Sequence, residues 1–454
     1  MSPQKTLFIV CFHPLVSRNI LSAPFFELLK KNSGLKIVLI VHEKKKDFFD
    51  KNYGGGNVVV EGVKRNLNEL DYLFKDLAAA AIRTRSRKLI RKMRLGHERW
   101  NAYKIFFWAP LIRPLIPKLF SLIVPRNRYA FLFEKYTPAL LLTTDVFNPM
   151  DVILAHEAKH RGVKVLGMVR SWDNLTAKGG FRVVPDELIV NNEIIKQDAI
   201  KIHGVSDRVI KIVGIPHYDK YLDGSPLTRE ELYKRLGIGL DRKFIVYAPV
   251  GNRFFTRNTF DREMVLIIRE MLPDGFHLIV RCPPGDPVDL EGVSKDPRII
   301  IDQPGTRFSG SGERQMDTEM SPADDDWLVS VLYHSELLIS GFTTLTVDAA
   351  RFNKPVIVVG FDAKTPLPYR ESVKRHLEFE HFQPILKSGG VRIAHSETEL
   401  KNLFALYLRN PETDGEKRKA MVMKQAYKLD GKGSERLLEC IVTALEINSN
   451  RSDV

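Results

Sequence analysis

Cysteine is scarce in this chain: three residues in 454, Cys11, Cys282 and Cys440, lie far apart and form no CxxC pair. That usage excludes a disulfide framework and a cysteine zinc site, and it fits a reducing cytoplasm. A long apolar run is also missing. The most hydrophobic region, 105–124, is interrupted by Arg113, Lys118 and three prolines, Pro110, Pro114 and Pro117. It is a poor spanning helix, although it could lie on a membrane. The apolar stretch before His13-Pro14 is too short for the core of a signal peptide, so no secretion signal is expected. Two phosphate fingerprints are absent as well. The first strand runs into Phe12-His13-Pro14 where a dinucleotide site wants G-x-G-x-x-G, and Gly54-Gly55-Gly56 has no following Gly-Lys-Ser/Thr. NAD, FAD and a nucleotide-hydrolase phosphate loop are therefore not expected.

One metal motif is present only in form. His156-Glu157-Ala158-Lys159-His160 matches HExxH, but it closes a helix, passes through Arg161-Gly162 into an apolar strand and has no evident third ligand. Neither metal nor cofactor is expected.

Length and charge carry more information. The chain exceeds the roughly 250–300 residues at which single cores stop growing, so two domains are the default. The net charge of +14 is uneven. Arg83, Arg85, Arg87, Lys88, Arg91, Lys92, Arg94 and Arg99 directly precede Trp100, Tyr103, Phe106, Phe107 and Trp108. Cations followed by aromatic residues suit an arm that touches anionic lipid, with Arg83, Arg87, Arg91, Arg94, Trp100, Phe106 and Trp108 as contacts. Nucleic acid is the rival partner, and a solvated helix face followed by core helix is the purely structural alternative.

Short apolar runs alternate with helical patterns along the whole chain, which predicts α/β domains built on parallel sheets. In the first domain, 1–215, strands are expected at 7–12, 36–41, 139–143, 163–169, 188–190 and 209–213. A helical, basic insertion occupies about 69–128, and 47–68 reads as irregular. A polar linker that carries a short helix follows at 216–241. The second domain, 242–430, has strands at 243–248, 276–281, 298–301, 337–339 and 356–359, and the chain closes with a helix and tail at 431–454. Gly305–Asp326 reads as a long Gly/Ser- and acid-rich loop, a possible lid.

The most informative stretch is 337–362, which reads strand, turn, short helix, turn, strand. Ser340-Gly341 ends the strand and Thr343 or Thr344 can cap the helix. Free N–H groups beside a glycine make a ready phosphate site, and Asp348 suits sugar hydroxyls. An ordinary β-α-β turn is the alternative. Ligands of open parallel sheets bind outside the carboxyl ends of the strands. Those ends offer His13, Asp145 and Arg170-Ser171-Trp172-Asp173-Asn174-Leu175-Thr176 in the first domain. The second offers Asn252, Arg253, Arg281 and Ser340–Thr344.

The linker Val213-Gly214-Ile215-Pro216-His217-Tyr218-Asp219, the Ser-Gly-x-Thr-Thr…Asp…Asn-Lys-Pro-Val motif and the tail Asp430-Gly431-Lys432-Gly433-Ser434-Glu435-Arg436 together resemble glycosyltransferases of the GT-B fold, two Rossmann-like domains facing across a cleft. More closely, the chain is similar to bacterial surface-polysaccharide glycosyltransferases and to CDP-glycerol glycerophosphotransferases of teichoic-acid synthesis. The resemblance covers roughly 1–60 and 130–445. It implies a nucleotide-activated donor in the second domain, with phosphate at Ser340, Gly341, Thr343 and Thr344, charge neutralised by Arg281, and no metal. Arg281-Cys282-Pro283-Pro284-Gly285 looks like the family's Arg-x-His-Pro-Gly segment with proline in the histidine's place.

Ser171-Trp172-Asp173 looks like the segment in which glycerophosphotransferases carry Trp-His-Gly and a catalytic histidine. Asp173 here favours sugar transfer, with Asp173 as base, His13 and Asp145 in reserve, and Ser171, Trp172, Asn174 and Thr176 on the acceptor side. A loop-shaping role for Asp173 and Asn174 is the structural alternative.

The resulting expectation is an inverting glycosyltransferase, cytoplasmic and at the inner face of the membrane. Its donor would be a nucleotide sugar and its acceptor lipid-linked or a polysaccharide. Alditol-phosphate transfer from a CDP donor, or nucleotide-sugar epimerisation, is the alternative on the same fold. A non-enzymatic basic membrane or nucleic-acid protein is the second.

Overall fold

The computed structural model describes residues 4–95, 109–222, 224–286, 288–293, 295–308 and 317–449. The chain forms two compact units, Met1–Lys220 with Ala426–Val454, and Tyr221–Gln425. In the first, a seven-stranded parallel sheet is built from β1 (Lys5–Val10), β2 (Leu35–His42), β3 (Val58–Val63), β4 (Leu140–Thr143), β5 (Lys164–Met168), β6 (Glu187–Val190) and β7 (Ile210–Ile212). Its order is β3-β2-β1-β4-β5-β6-β7. Strands β1 and β4 are buried almost throughout because helices cover both faces. Leu7 and Ile9 point into one apolar layer, Phe8 and Val10 into the other. The period of two distributes consecutive apolar residues to both faces, which is why the strands read as unbroken runs.

In the second unit, β8 (Lys243–Ala248), β9 (Phe276–Arg281), β10 (Ile299–Asp302), β13 (Leu338–Ser340), β14 (Val356–Val359) and β15 (Arg392–Ala394) form a parallel sheet ordered β10-β9-β8-β13-β14-β15. A short antiparallel pair, β11 (Thr306–Arg307) and β12 (Thr318–Glu319), stands apart from it.

Two expectations need correction. Strand β3 was expected to be irregular. It is an edge strand with burial alternating along much of its length, so it lacks the continuous apolar run that marks its neighbours. The 305–326 region is not a structureless loop, since β11 and β12 pair across it and a helix starts at Pro322; 309–316 lie outside the described residues. The polar connection at 216–241 carries the expected short helix. The chain passes between units at Lys220/Tyr221, and the helix Arg229–Leu236 buries Leu232 and Tyr233 in the second unit.

The final helix, Gly433–Ser449, returns to the first unit. Leu437, Ile441, Ala444 and Leu445 join the layer that contains Leu7 and Phe26. Its first turn is held by Asp219, whose carboxylate accepts the N–H groups of Gly433 at 3.2 Å and Ser434 at 2.6 Å. An acid at a helix N-terminus is favoured by the helix dipole.

Candidate active site

In each sheet the strand order reverses at one point, between β1 and β4 in the first and between β8 and β13 in the second. In open parallel sheets the loops leaving the carboxyl ends of the strands diverge at such a point and form the crevice where ligands usually bind.

In the first unit that position holds an ionic cluster. Asp145, just after β4, is 1% exposed. Its carboxylate accepts from Arg170 Nε at 2.9 Å, from the Phe147 N–H at 3.0 Å and from Asn174 Nδ2 at 3.4 Å. Lys178 Nζ stands 3.5 Å away. Burial pushes the Asp145 carboxyl up, but Lys178 and Arg170 outweigh it and hold it well below the usual carboxylate range.

Beneath it, Asp151 accepts the Asp145 N–H at 3.1 Å, and burial followed by the charge of Asp145 pushes its own carboxyl well up. His13, after β1, uses Nδ1 to accept the Leu15 N–H at 3.2 Å. Burial, then Arg170 and Lys178, lower its affinity for a proton well below the ordinary imidazole value. With Nδ1 occupied as acceptor, the neutral ring carries its proton on Nε2.

These contacts correct the expectation that His13 and Asp145 are reserve bases. A carboxylate held between two cations is a weak proton acceptor, and an imidazole with its proton on Nε2 is a donor there. Asp145 instead ties together Arg170, Asn174 and Lys178 of the loop after β5. Asp173 is the accessible carboxylate of the three, half-buried at the start of a π-helical turn, Asn174–Lys178. Its backbone oxygen accepts the Ala177 N–H at 2.8 Å and the Thr176 hydroxyl at 3.4 Å. Asn174 is buried with Oδ1 unbonded among the described residues. Ser171 and Trp172 are half-buried, and Trp172 packs on the cluster of Val146, Phe147 and Leu175.

The basic insertion is placed differently from its expectation as a lipid-facing arm. Arg87 and Arg91, on the helix Arg85–Leu95, turn inward. Arg87 Nε donates to Ala79 O at 3.1 Å and Nη1 to Ala177 O at 3.0 Å, while Arg91 Nη2 donates to Ala80 O at 2.8 Å. The last carbonyls of the helix Glu69–Ala80 lack intrahelical partners and carry partial negative charge, so guanidinium groups settle there. Arg83 is exposed. Trp100, Phe106 and Trp108, and the side chain of Arg94, lie outside the described residues.

The HExxH side chains have structural partners. His156 Nε2 lies 3.1 Å from Val124 O, His160 Nε2 lies 3.0 Å from Ser121 Oγ, and Glu157 accepts the Tyr129 N–H at 2.9 Å. Together they fasten 121–129 to the helix Pro149–His160. Among the described residues no group of three or more His, Cys, Asp or Glu side chains is arranged to hold a metal ion.

The second unit's crevice is built mainly from backbone. A Cβ on Gly341 would come within 2.6 Å of Val250 Cγ2, so glycine is what lets the β8 and β13 loops approach. Gly251 has φ +89°, a left-handed conformation that favours glycine, and its own Cβ would meet Asp286 at 2.4 Å. Asp261 staples this loop. It accepts the N–H groups of Val250 at 2.9 Å and Gly251 at 3.0 Å and the Tyr247 hydroxyl at 2.7 Å. Asn252 Oδ1 accepts from Asn258 at 3.0 Å, and Arg253 is exposed beside it.

At the helix Leu345–Arg351, Thr344 is exposed in the cap position without a side-chain cap bond. Thr343 Oγ1 accepts the Leu345 N–H at 3.4 Å. Ser340, fully buried, pairs with Thr346 at 3.4 Å.

Two donor-side expectations are corrected. Arg281 is buried, its Nη1 bonded to Asp302 at 2.7 Å, so its charge is already balanced. Trp327 Nε1 donates to the same carboxylate at 3.1 Å. Asp348 is 6% exposed and offers little carboxylate surface to a sugar. In exchange, the structure brings up residues that motif reasoning passed over. Phe342 packs against His376, Phe379, His381 and Phe382, all from the segment after β14. His376 is 3% exposed, and burial, then Arg375 and Arg253, lower its proton affinity to about 3. No local signal pointed to these residues, since the basic triplet Lys374-Arg375-His376 stands well beyond the predicted strand end at 359.

A model of the family "CDP-Glycerol:Poly(glycerophosphate) glycerophosphotransferase" matches residues 156–260. That span includes Asp173, Gly251 and Asn252. No curated protein matches the sequence. Among solved structures, a UDP-N-acetylglucosamine 2-epimerase is similar over 97% of this chain and 96% of its own, at 12% identity and a TM-score of 0.56. The UDP-GlcNAc 2-epimerase of Neisseria meningitidis, bound to UDP-GlcNAc, covers 97% and 100% at 12% identity and 0.54. A variant of the wall teichoic acid polymerase TagF covers 99% and 91% at 13% identity and 0.54. The likeness shows the fold: two parallel-sheet α/β units of the GT-B kind.

Proposed function

We propose that this chain is a GT-B glycosyltransferase that moves a sugar from a nucleotide-activated donor to a lipid-linked or polysaccharide acceptor in cell-surface glycan synthesis. The observation that supports the reading is the difference in make-up between the two reversal points. The first holds an accessible carboxylate on a turn fixed by buried charges, and the second holds a glycine-lined turn with hydroxyls and cationic neighbours.

In this reading Asp173 takes the acceptor hydroxyl's proton as the sugar's anomeric carbon is attacked. The bond from that carbon to the nucleotide's phosphate oxygen breaks, with inversion. The departing negative charge is met by Thr343, Thr344 and Arg253, electrostatic help where charge develops. No step requires a metal.

A second reading, alditol-phosphate transfer from a CDP donor, draws on the family match across 156–260. Epimerisation of a nucleotide sugar is the third, on the fold of the neighbours. Products separate them. Sugar transfer releases nucleoside diphosphate and adds a sugar's mass to the acceptor, alditol-phosphate transfer releases CMP, and epimerisation needs no acceptor. A thermal-shift series with UDP, CDP, GDP, dTDP and CMP fixes the donor class, because a ligand that binds only the folded form raises its melting temperature. No shift with any nucleotide overturns the reading.

The proposed site of action is the cytoplasmic face of an anionic membrane. Between Arg83 and Arg128 there are thirteen Lys and Arg residues and one acid, Glu98. The segment 109–123 buries Ile116 and Phe120 yet exposes Leu111, Leu115, Leu119 and Leu122 on one face. An apolar stripe bordered by Lys118 and Arg126 fits an anionic lipid interface. No described helix is long and apolar enough to cross a membrane.

A further inference from the structure

The inward arginines of the basic helix make contacts that a lipid-facing arm has no use for. Arg87 bridges two segments far apart in sequence, the end of the 69–80 helix at Ala79 O and the π-helical turn at Ala177 O. Three further contacts run along the same seam. The Thr84 hydroxyl donates to Thr176 O at 2.5 Å, and the Gly180 N–H donates to Ala78 O at 2.9 Å. Gly179, at φ +138°, lies so close that a Cβ there would fall 2.9 Å from Ala79 Cα. Thr84, Thr176 and Ala177 are all buried. The turn carrying Asp173 is thus pinned from two sides: Asn174 and Lys178 reach Asp145 on one, and Thr84 and Arg87 hold its carbonyls on the other.

From this geometry we propose that Arg87, assisted by Thr84, is a positioning residue for the Asp173 turn, so that the basic insertion is part of the active-site scaffold. The proposal rests on the transfer reading above. Arg87 touches no reacting atom. Its planar fork satisfies one carbonyl of the turn and one of the 69–80 helix at once, a geometry that the single point charge of lysine does not reproduce. Misplacing a reacting group by about 1 Å costs on the order of 100-fold in rate, so a modest relaxation of the turn is enough to be read out.

The test compares Arg87→Met, Arg87→Lys and Thr84→Val with Lys31→Met, an exposed site in the same unit that loses the same charge. Three measurements are made on the full chain. Amide hydrogen exchange over 174–180 needs no turnover and reports the pinning directly. Exchange is expected to quicken about tenfold in Arg87→Met, and less in Thr84→Val, while Lys31→Met matches wild type. Steady-state kinetics with detergent-solubilised acceptor then divides the effect. kcat is expected to fall about 10- to 100-fold in Arg87→Met with both KM values little changed, and Arg87→Lys to recover only part of it.

Binding to phosphatidylglycerol/phosphatidylcholine vesicles should fall for Arg83→Met and stay at wild-type level for Arg87→Met. Unchanged exchange at 174–180 in both Arg87→Met and Thr84→Val overturns the proposal, as does full recovery by Arg87→Lys. If Arg87→Met does not fold, Thr84→Val and Arg87→Lys decide it by the same measurements. If wild type shows no transfer at all, the reaction assigned above is wrong, while faster exchange in the variants still upholds the pinning.

Discussion

The two reversal points solve different electrostatic problems with the same backbone plan. At the first, the decisive groups are side chains that neutralise one another: Asp145 lies between Arg170 and Lys178, with His13 kept uncharged beside them. At the second, the approach is made by glycine backbone at Gly251 and Gly341, hydroxyls stand at Thr343 and Thr344, and cationic groups gather from another loop. A self-neutralised cluster holds its parts in place but offers little to a charged ligand, whereas glycine backbone flanked by Arg253 leaves room and positive potential for one. In the proposed reading the first crevice handles the proton and the second binds the anion.

The sharpest way to break that assignment is Asp173→Asn. It should lower kcat by about 1000-fold while circular dichroism and melting temperature stay at wild-type values. Retained activity in a folded variant would show that the proton goes elsewhere.

Asp145→Asn tests whether the first cluster is structural. Arg170 and Lys178 would lose the buried charge that balances them, and urea unfolding should report a loss of about 3 kcal/mol, discounted for the partial exposure of Lys178. A loss of activity without any loss of stability would contradict the role assigned here.

The third prediction concerns pH. His376 titrates at about 3 when folded, against its ordinary value near 6.5 when unfolded. Between those limits the unfolded chain binds more protons, so this histidine's contribution is full above about pH 6.5 and is lost progressively on acidification. From pH 6.5 to pH 5 the loss is about 2 kcal/mol, and His376→Gln should flatten the pH dependence of unfolding by about one proton. Equal slopes in wild type and variant would place His376 in water.

The smallest expected effect is at the second crevice. Thr343→Val removes one hydroxyl and should weaken binding of the nucleotide found by thermal shift about fivefold, the equivalent of one neutral hydrogen bond. Isothermal titration reads it directly, and unchanged affinity would move the phosphate away from this turn.

How much of this was legible before the structure depends on how local the signal is. Strands β8, β9 and β14 were read with their observed bounds because continuous apolar runs need no partner to be recognised. Strand β3 was missed because half of its side chains face outward at the sheet edge, and β15 because of its three residues only Ala394 is buried, so it shows no apolar run. Ser340 and Gly341 were found from a turn pattern. Arg281 was also found, but its role was misjudged, because Asp302 lies on the next strand and only strand pairing brings the two together. Arg375 and His376 were passed over because nothing local ties a loop after β14 to Phe342.

The amino-acid sequence by itself determined the alternation of strand and helix, the presence of two α/β units and the places where strands end, since these follow from periodicity and turn chemistry over a few residues. Tertiary structure alone decided which charges are available for chemistry. Asp145 and Asp173 are the same residue type in similar loops, yet one is fully buried between Arg170 and Lys178 and the other is only half-buried. Arg83 and Arg87 share one basic run, yet one faces out and the other grips Ala79 and Ala177. The strength of a charge depends on burial and on partners distant in the chain, and those are set only when the sheets and helices pack.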